Sequence, residues 1–219
     1  MIITHHGASC LKISAKTQDG KDVVLVANPF DGKKIGIKLP RIKADVVLIS
    51  DSSDPIYNNF KSINSNGDRP PVTIDEPGEY EIEGMSIHGV KDAEDESIVY
   101  RVEIERIVVG LIGGMKNSSG LSDAQTEVLQ NTDILALPIG GSVVMDMKQA
   151  RDVVNQLQPR VVIPTFYKVP NIKIDGISGN PSEFIQKELG IKSDEVSDKF
   201  KITHASLPQD EMRGVLLSI

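Results

Sequence analysis

Val46-Val47-Leu48-Ile49-Ser50-Asp51-Ser52-Ser53-Asp54-Pro55-Ile56-Tyr57-Asn58-Asn59 is the stretch on which the reading of this chain turns. Its first four residues are apolar and three of them are β-branched, the composition of a buried strand. The run then breaks into small polar residues and a proline, which make a loop. Strand ends that open into polar loops are where α/β-type proteins concentrate their chemistry. This loop offers two carboxylates, Asp51 and Asp54, three hydroxyls, Ser50, Ser52 and Ser53, and no histidine. Its plain reading is a strand-to-helix turn in which Asp and Ser bond the backbone.

Working outward, short strands crowd the first half of the chain. Residues 1–27 read as two strands and a hairpin, with Gln18-Asp19-Gly20 as the turn because Asp-Gly supplies positive φ. Val23 to Val26 is the returning strand, and Asp31-Gly32-Lys33-Lys34 makes the next turn. Residues 60–71, with Pro70-Pro71, read as a loop. Val72 to Ile74 starts a strand, Tyr80 to Val90 alternates around Gly84 as a hairpin would, and Ile98 to Val102 and Ile107 to Ile112 are two further strands joined near Glu105-Arg106. The second half alternates helix and strand: a helix from Ser122 to Leu129, a strand from Ile134 to Leu137, and a helix from Asp146 to Leu157. Val161 to Ile163 is the next strand, and Pro181 to Leu189 is a helix closed by Gly190. Residues 191–201 are charged and expected to be exposed, with late strands at Ile202 and at Val215 to Leu217. No internal repeat or linker stands out, so one domain over residues 1–219 is expected. Pattern alone supports mixed α and β.

Composition narrows the functions. The chain has 219 residues, enough to bury a full core, and its 39 % hydrophobic and 25 % charged content is that of a soluble globular protein. A net charge of −7 disfavours nonspecific binding to nucleic acid or anionic membranes, while leaving room for a local basic patch. The single cysteine, Cys10, permits no intrachain disulfide and reads as a small core residue. No signal peptide is read, and no apolar run approaches the roughly 18 residues of a membrane helix, so a cytoplasmic location without membrane attachment is expected.

The flanks of the central stretch carry a resemblance. Leu39-Pro40-Arg41-Ile42-Lys43-Ala44-Asp45 before the strand resembles the lead-in to the metal motif of the metallo-β-lactamase superfamily, in particular its small prokaryotic branch of Zn-dependent hydrolases. Further pieces follow in order: Gly7-Ala8-Ser9-Cys10-Leu11-Lys12-Ile13, Asn28-Pro29-Phe30-Asp31, Pro77-Gly78-Glu79-Tyr80-Glu81 with Gly84, Asp133 to Gly141, and Pro159 to Pro164. The resemblance implies an α+β fold, the four-layer αββα sandwich of the metallo-β-lactamase type. It also implies where zinc ligands would stand. Members follow the strand with Ser-His-x-His-x-Asp-His; here Asp51, Ser53, Pro55 and Ile56 occupy the His, His, Asp and His positions. A later His-Leu-Gly-Asp segment corresponds to Leu111-Ile112-Gly113-Gly114, and the His of an Ile-Pro-x-His-Tyr run corresponds to Phe166. The loop from Met115 to Gly120 is longer than usual and contains no His or Cys.

A catalytic zinc site needs three ligands from His, Cys or carboxylate plus an open position for water. The matched positions supply one such donor, Asp51. The expectation is therefore no cofactor, although the family uses zinc, and a metal-free binding or assembly protein whose partner is an unidentified protein or small molecule, with oligomeric state open. A second reading is a hydrolase of the same superfamily with a non-standard or metal-free site built from Asp51, Asp54 and His5 or His6. A third is a small-molecule sensor using a pocket lined by Tyr57, Phe166 and Tyr167, against which stands ordinary core packing of those aromatics. His5 and His6 are neighbours in a strand, so at most one points into such a pocket. His88 and His204 fall in strand-like surroundings.

Overall fold

The computed structural model describes residues 1–92, 97–116 and 120–219. Its centre is two sheets packed face to face. The first contains β1 (Ile2–His5), β2 (Leu11–Lys16), β3 (Asp22–Ala27), β5 (Val46–Leu48), β7 (Val72–Ile74) and β14 (Phe200–Lys201), in the order β14-β1-β2-β3-β5-β7. The second contains β8 (Gly78–Ile82), β9 (Met85–Lys91), β10 (Ile98–Ile104), β11 (Ile107–Ile112), β12 (Ile134–Pro138), β13 (Val161–Thr165) and β15 (Arg213–Gly214), in the order β15-β13-β12-β11-β10-β9-β8. A two-stranded ribbon of β4 (Lys43–Ala44) and β6 (Asn64–Ser65) lies apart from both.

Alternation decides which face of each strand is buried. Leu11, Ile13 and Ala15 of β2 point between the sheets, with Leu25 and Leu48 from the same sheet and Ile87, Tyr100, Val102, Val109 and Ile163 from the other. Central strands are buried on both faces, because the parallel pairs β3–β5, β11–β12 and β12–β13 carry connections on their outer sides. That is why β5 and β12 are unbroken apolar runs and β13 is apolar up to Thr165. Outside the second sheet, Leu135, Leu137 and Val162 meet Leu129 of helix α2 (Asp123–Leu129), Val153 and Val154 of α3 (Met147–Leu157), and Phe184. Outside the first sheet, Val26, Val47 and Ile49 meet Phe30, Ile35, Tyr57 and Phe166. The fold is α+β, with mixed sheets, few helices and the expected four layers; the layer outside the first sheet is thin, made of loops and a one-turn helix.

Most expected elements are present, with differences that have local causes. Gly32, Lys33 and Lys34, read as a turn, belong to that one-turn helix, Gly32–Ile35, because the Asp31 side chain caps it by accepting from the Lys33 amide at 2.9 Å and Gly36 ends it at φ 84°. The loop expected at 60–71 contains a 3₁₀ turn, Phe60–Ser62, and β6, both too short to show a period. Residues 181–188 are helical, but Phe184–Glu188 form a π turn in which the Leu189 amide bonds Phe184 O at 3.0 Å. The late strands fall at Phe200–Lys201 and Arg213–Gly214, one or two residues before the expected positions, and His204 sits in a 3₁₀ turn rather than a strand. Phe200, in a segment expected to be exposed, is buried against β1. No described helix is long and apolar enough to cross a membrane.

Candidate functional site

The segments singled out in the sequence meet at one edge of the sandwich. They are the β1–β2 loop, the residue after β3, the loop after β5, the residues after β11 and those after β13. Three of them close on Gly113, which directly follows β11. Ser9 Oγ donates to Gly113 O at 2.6 Å. The Ser50 amide donates to Asn28 Oδ1 at 2.8 Å, and a Cβ on Gly113 would lie 2.1 Å from Asn28 Nδ2 and 2.5 Å from Ser50 Oγ. Gly113 is thus a position of close approach between the two sheets. Ala8, Asn28 and Phe166 all have positive φ, 46°, 51° and 47°, so three loops at this edge are held in the left-handed region by their surroundings.

Each of the two candidate carboxylates closes a local turn through its Oδ1. Asp51 Oδ1 accepts from the Ser53 amide at 2.9 Å and from Ser53 Oγ at 2.6 Å. Asp54 Oδ1 accepts from the Ile56 amide at 2.9 Å. The loop therefore behaves as the plain reading expected, with Asp and Ser bonding their own backbone. Pro55 and Ile56 are half-buried, while Tyr57 and Phe166 are wholly buried, their rings 6.2 Å apart. A Cβ on Gly114 would lie 3.0 Å from two ring carbons of Tyr57 and 3.3 Å from Ser97 Oγ. Tyr57 and Phe166 accordingly pack in the core, as the bland alternative to a ligand pocket had it. Tyr167 does border a cleft of about 440 Å³, with Val169, Pro181, Leu216 and Leu217 among its walls.

Of the two neighbouring histidines, His5 is the inward one. It is 3 % exposed, its Nε2 lies 2.8 Å from Ala8 O, and its ring stands 5.5 Å from that of Tyr167. His6 is half-buried and bonds Thr4 Oγ1 at 3.2 Å. Burial lowers the His5 pKa to about 4, partly offset by the Ala8 bond. The unfolded chain therefore binds a proton at His5 that the folded chain refuses between pH 6.5 and about 4. Stability falls as pH drops through that window. The His5 contribution between pH 7 and pH 5 is about 2 kcal/mol. Urea unfolding at the two pH values should show a loss that is smaller by this amount in His5→Gln; equal losses would mean His5 protonates freely in the folded state. Burial also pushes the Cys10 thiol far up, consistent with a core residue and not a nucleophile.

Sequence reasoning missed Ser9, Ser97 and Thr165 at this edge. Ser50 Oγ and Thr165 Oγ1 are buried with no hydrogen-bond partner among the described residues. The signal that would have found the cluster is Gly113-Gly114 directly after a strand, a mark of close approach.

Two facing sheets, helices outside the second, and five loops gathered at one edge define a metallo-β-lactamase-type fold. The chain belongs to that superfamily: residues 2–166 match the β-lactamase superfamily domain. A protein from Thermotoga maritima described as a candidate Zn-dependent hydrolase of the metallo-β-lactamase superfamily is 25 % identical, over 100 % of both chains, with a TM-score of 0.75. Igni18, a metallo hydrolase from Ignicoccus hospitalis, is 19 % identical over 92 % of this chain and 99 % of its own, with a TM-score of 0.58. A UPF0173 protein from Pyrococcus furiosus is 33 % identical over 84 residues, 36 % of this chain. The match spans 37 % of that curated relative's length.

These relatives correct one expectation. The sequence pointed to no cofactor, yet the proteins sharing this fold are described as Zn-dependent or as metallo hydrolases, so kinship points to a metal cofactor. The residues at the matched positions do not fit a dinuclear centre of the family's ordinary kind. Asp51 is the one carboxylate, Pro55 and Ile56 have no donor atom in their side chains, and Tyr57 fills the space beside Gly114 where the family places a carboxylate. Among the described residues no group of three or more His, Cys, Asp or Glu is placed to hold a metal ion. Residues 93–96, which include Glu94, Asp95 and Glu96, and residues 117–119 of the long loop lie outside the described residues. A metal on this chain would take other donors than the relatives' motif supplies.

Proposed function

We propose that this protein is a cytoplasmic binding or assembly member of the metallo-β-lactamase superfamily that does not turn over substrate at the edge where the resemblance places the family's site. One observation carries the reading: Tyr57 and Phe166 are wholly buried there, and Tyr57 packs against Gly114 at the distance a side chain on that residue would need. Hydrolysis by this fold requires an open position at which a metal-activated water meets substrate. Packed aromatic rings supply neither the donor atoms nor the opening.

The test is turnover, measured on protein reconstituted with zinc, iron or manganese against lactone, phosphodiester and amide substrates. No activity above a heat-denatured control is expected. Turnover that disappears in Asp51→Ala would overturn the proposal. The relatives' descriptions favour a second reading, a hydrolase working with a different donor set. It expects turnover that depends on added metal and survives both Asp51→Ala and Asp54→Ala, since those carboxylates are committed to turns.

A further inference from the structure

We propose that this chain associates with a second copy of itself through two oppositely charged exposed surfaces, the basic strip at residues 33–43 and the acidic edge at residues 75–83.

The basic strip arises from a local pattern. Lys33, Lys34, Lys38, Arg41 and Lys43 hold five of the chain's 24 basic residues, and no acidic residue interrupts them. Between them Ile35 and Ile42 are buried, with Ile37 and Leu39 packed on the same cluster. Those apolar anchors fix the segment to the outside of the first sheet and turn all five cations to solvent. Lys33, Lys38 and Arg41 border one shallow cleft of about 510 Å³. None of the five forms an ion pair among the described residues. Unpaired like charges held side by side repel one another, so an anionic partner that approaches them is favoured.

The same chain displays the complement. Asp75, Glu76, Glu79, Glu81 and Glu83 are five carboxylates with no basic residue between them, and all five are exposed. Tyr80 and Ile82 alternate with them and pack on the core, which orients Glu79 and Glu81 outward. Glu83 pairs with Lys21, and Glu79 lies 3.8 Å from His88; Asp75, Glu76 and Glu81 form no ion pair among the described residues. Glu79 and Glu81 lie on β8, which is the last strand of its sheet and bonds β9 alone, and Asp75, Glu76 and Glu83 flank it.

The strip sits outside the first sheet and the acidic edge borders the second, so one molecule's two surfaces leave each other unneutralised while a second copy can neutralise both. Charges of opposite sign facing each other steer association and fix register, and salt weakens them over roughly 10 Å at 0.1 M. Carboxylates on an edge strand also keep strands of other molecules from adding to it, which the acidic edge would do in a monomer. The matching run of unpaired cations on the same chain is what that role leaves unexplained. The inference holds whether or not the chain turns over a substrate.

Sedimentation velocity on the full chain at about 50 mM and about 500 mM NaCl tests it. At low salt the weight-average mass should rise about twofold or more above the monomer, and at high salt return to it. Lys38→Glu/Arg41→Glu and Glu79→Lys/Glu81→Lys should each be monomeric at low salt, with unchanged melting temperature because the residues are exposed. Mixed in equal amounts, these two variants should associate again, since the first keeps its acidic edge and the second its basic strip. A monomeric wild-type chain at low salt and about 100 μM overturns the proposal, as does association that survives both reversals. Failure of the mixture to associate also overturns it. So does saturable binding of inorganic pyrophosphate to the strip by a chain that stays monomeric, because the occupant would then be a small anion.

Discussion

Phe166→Ala is expected to lower stability by about 3–5 kcal/mol, the range for removing a wholly buried aromatic ring that its surroundings cannot close over. Phe166 is 0 % exposed and packs with Tyr57, Ala8, Val144 and Ile177 in the cluster outside the first sheet. Its backbone cannot shift to fill the gap. Its amide bonds Ala8 O at 2.8 Å, and its φ of 47° is already outside the range most residues choose. Leucine at this position should retain much of the packing and lose roughly half as much. Equilibrium unfolding in urea measures both. A loss under about 1 kcal/mol for the alanine variant would mean that the ring borders an open pocket. That result would favour a ligand-binding site at this edge over a packed one.

Gly113→Ala is expected to cost about 3 kcal/mol, the upper end for overpacking a well-filled site. The added methyl would lie 2.1 Å from Asn28 Nδ2, 2.5 Å from Ser50 Oγ and 2.9 Å from Ser50 Cβ. Neither neighbour is free to retreat. Asn28 Oδ1 holds the Ser50 amide, and the Asn28 amide bonds Leu48 O at 2.8 Å, so moving one displaces the end of β5. Ser9 Oγ fixes Gly113 from the other side. Gly114→Ala should be milder, because its tightest contacts are ring carbons of Tyr57 at 3.0 Å, and a ring can tilt where a backbone-anchored amide cannot. The ranking is the test: thermal melts in which Gly114→Ala is as damaging as Gly113→Ala would show that the inter-sheet contact at Gly113 is looser than these distances require.

Both predictions fall on residues whose importance the sequence signalled only indirectly. Phe166 stands out because the resemblance places a ligand there, and Gly113 because the same resemblance matches Leu111 to Gly114 to a ligand segment. Neither residue type states its neighbours. Asp51 and Asp54 illustrate the opposite case. Their spacing from Ser53 and Ile56 is that of side chains closing turns on their own backbone, and that is what they do. Local hydrogen bonds of this kind span two residues and are fully written in the sequence. The two-residue strands β4 and β6 lie at the other extreme, since their pairing joins segments some twenty residues apart and leaves no period to read.

The sequence by itself determined the longer strands and helices, the superfamily, and the poverty of metal donors in the matched frame, because burial periodicity and residue chemistry are properties of short stretches. Only the tertiary structure decided that His5 rather than His6 turns inward, that Tyr57 stands against Gly114, and that Ser9, Asn28 and Ser50 close on Gly113. Those contacts join residues up to 104 positions apart in the chain. Their distances depend on how two twisted sheets seat against each other, a sum over the whole core that no single segment records. The metal question divides along the same line: kinship speaks for a cofactor, while the matched positions at this edge hold one carboxylate, Asp51, beside buried aromatic rings.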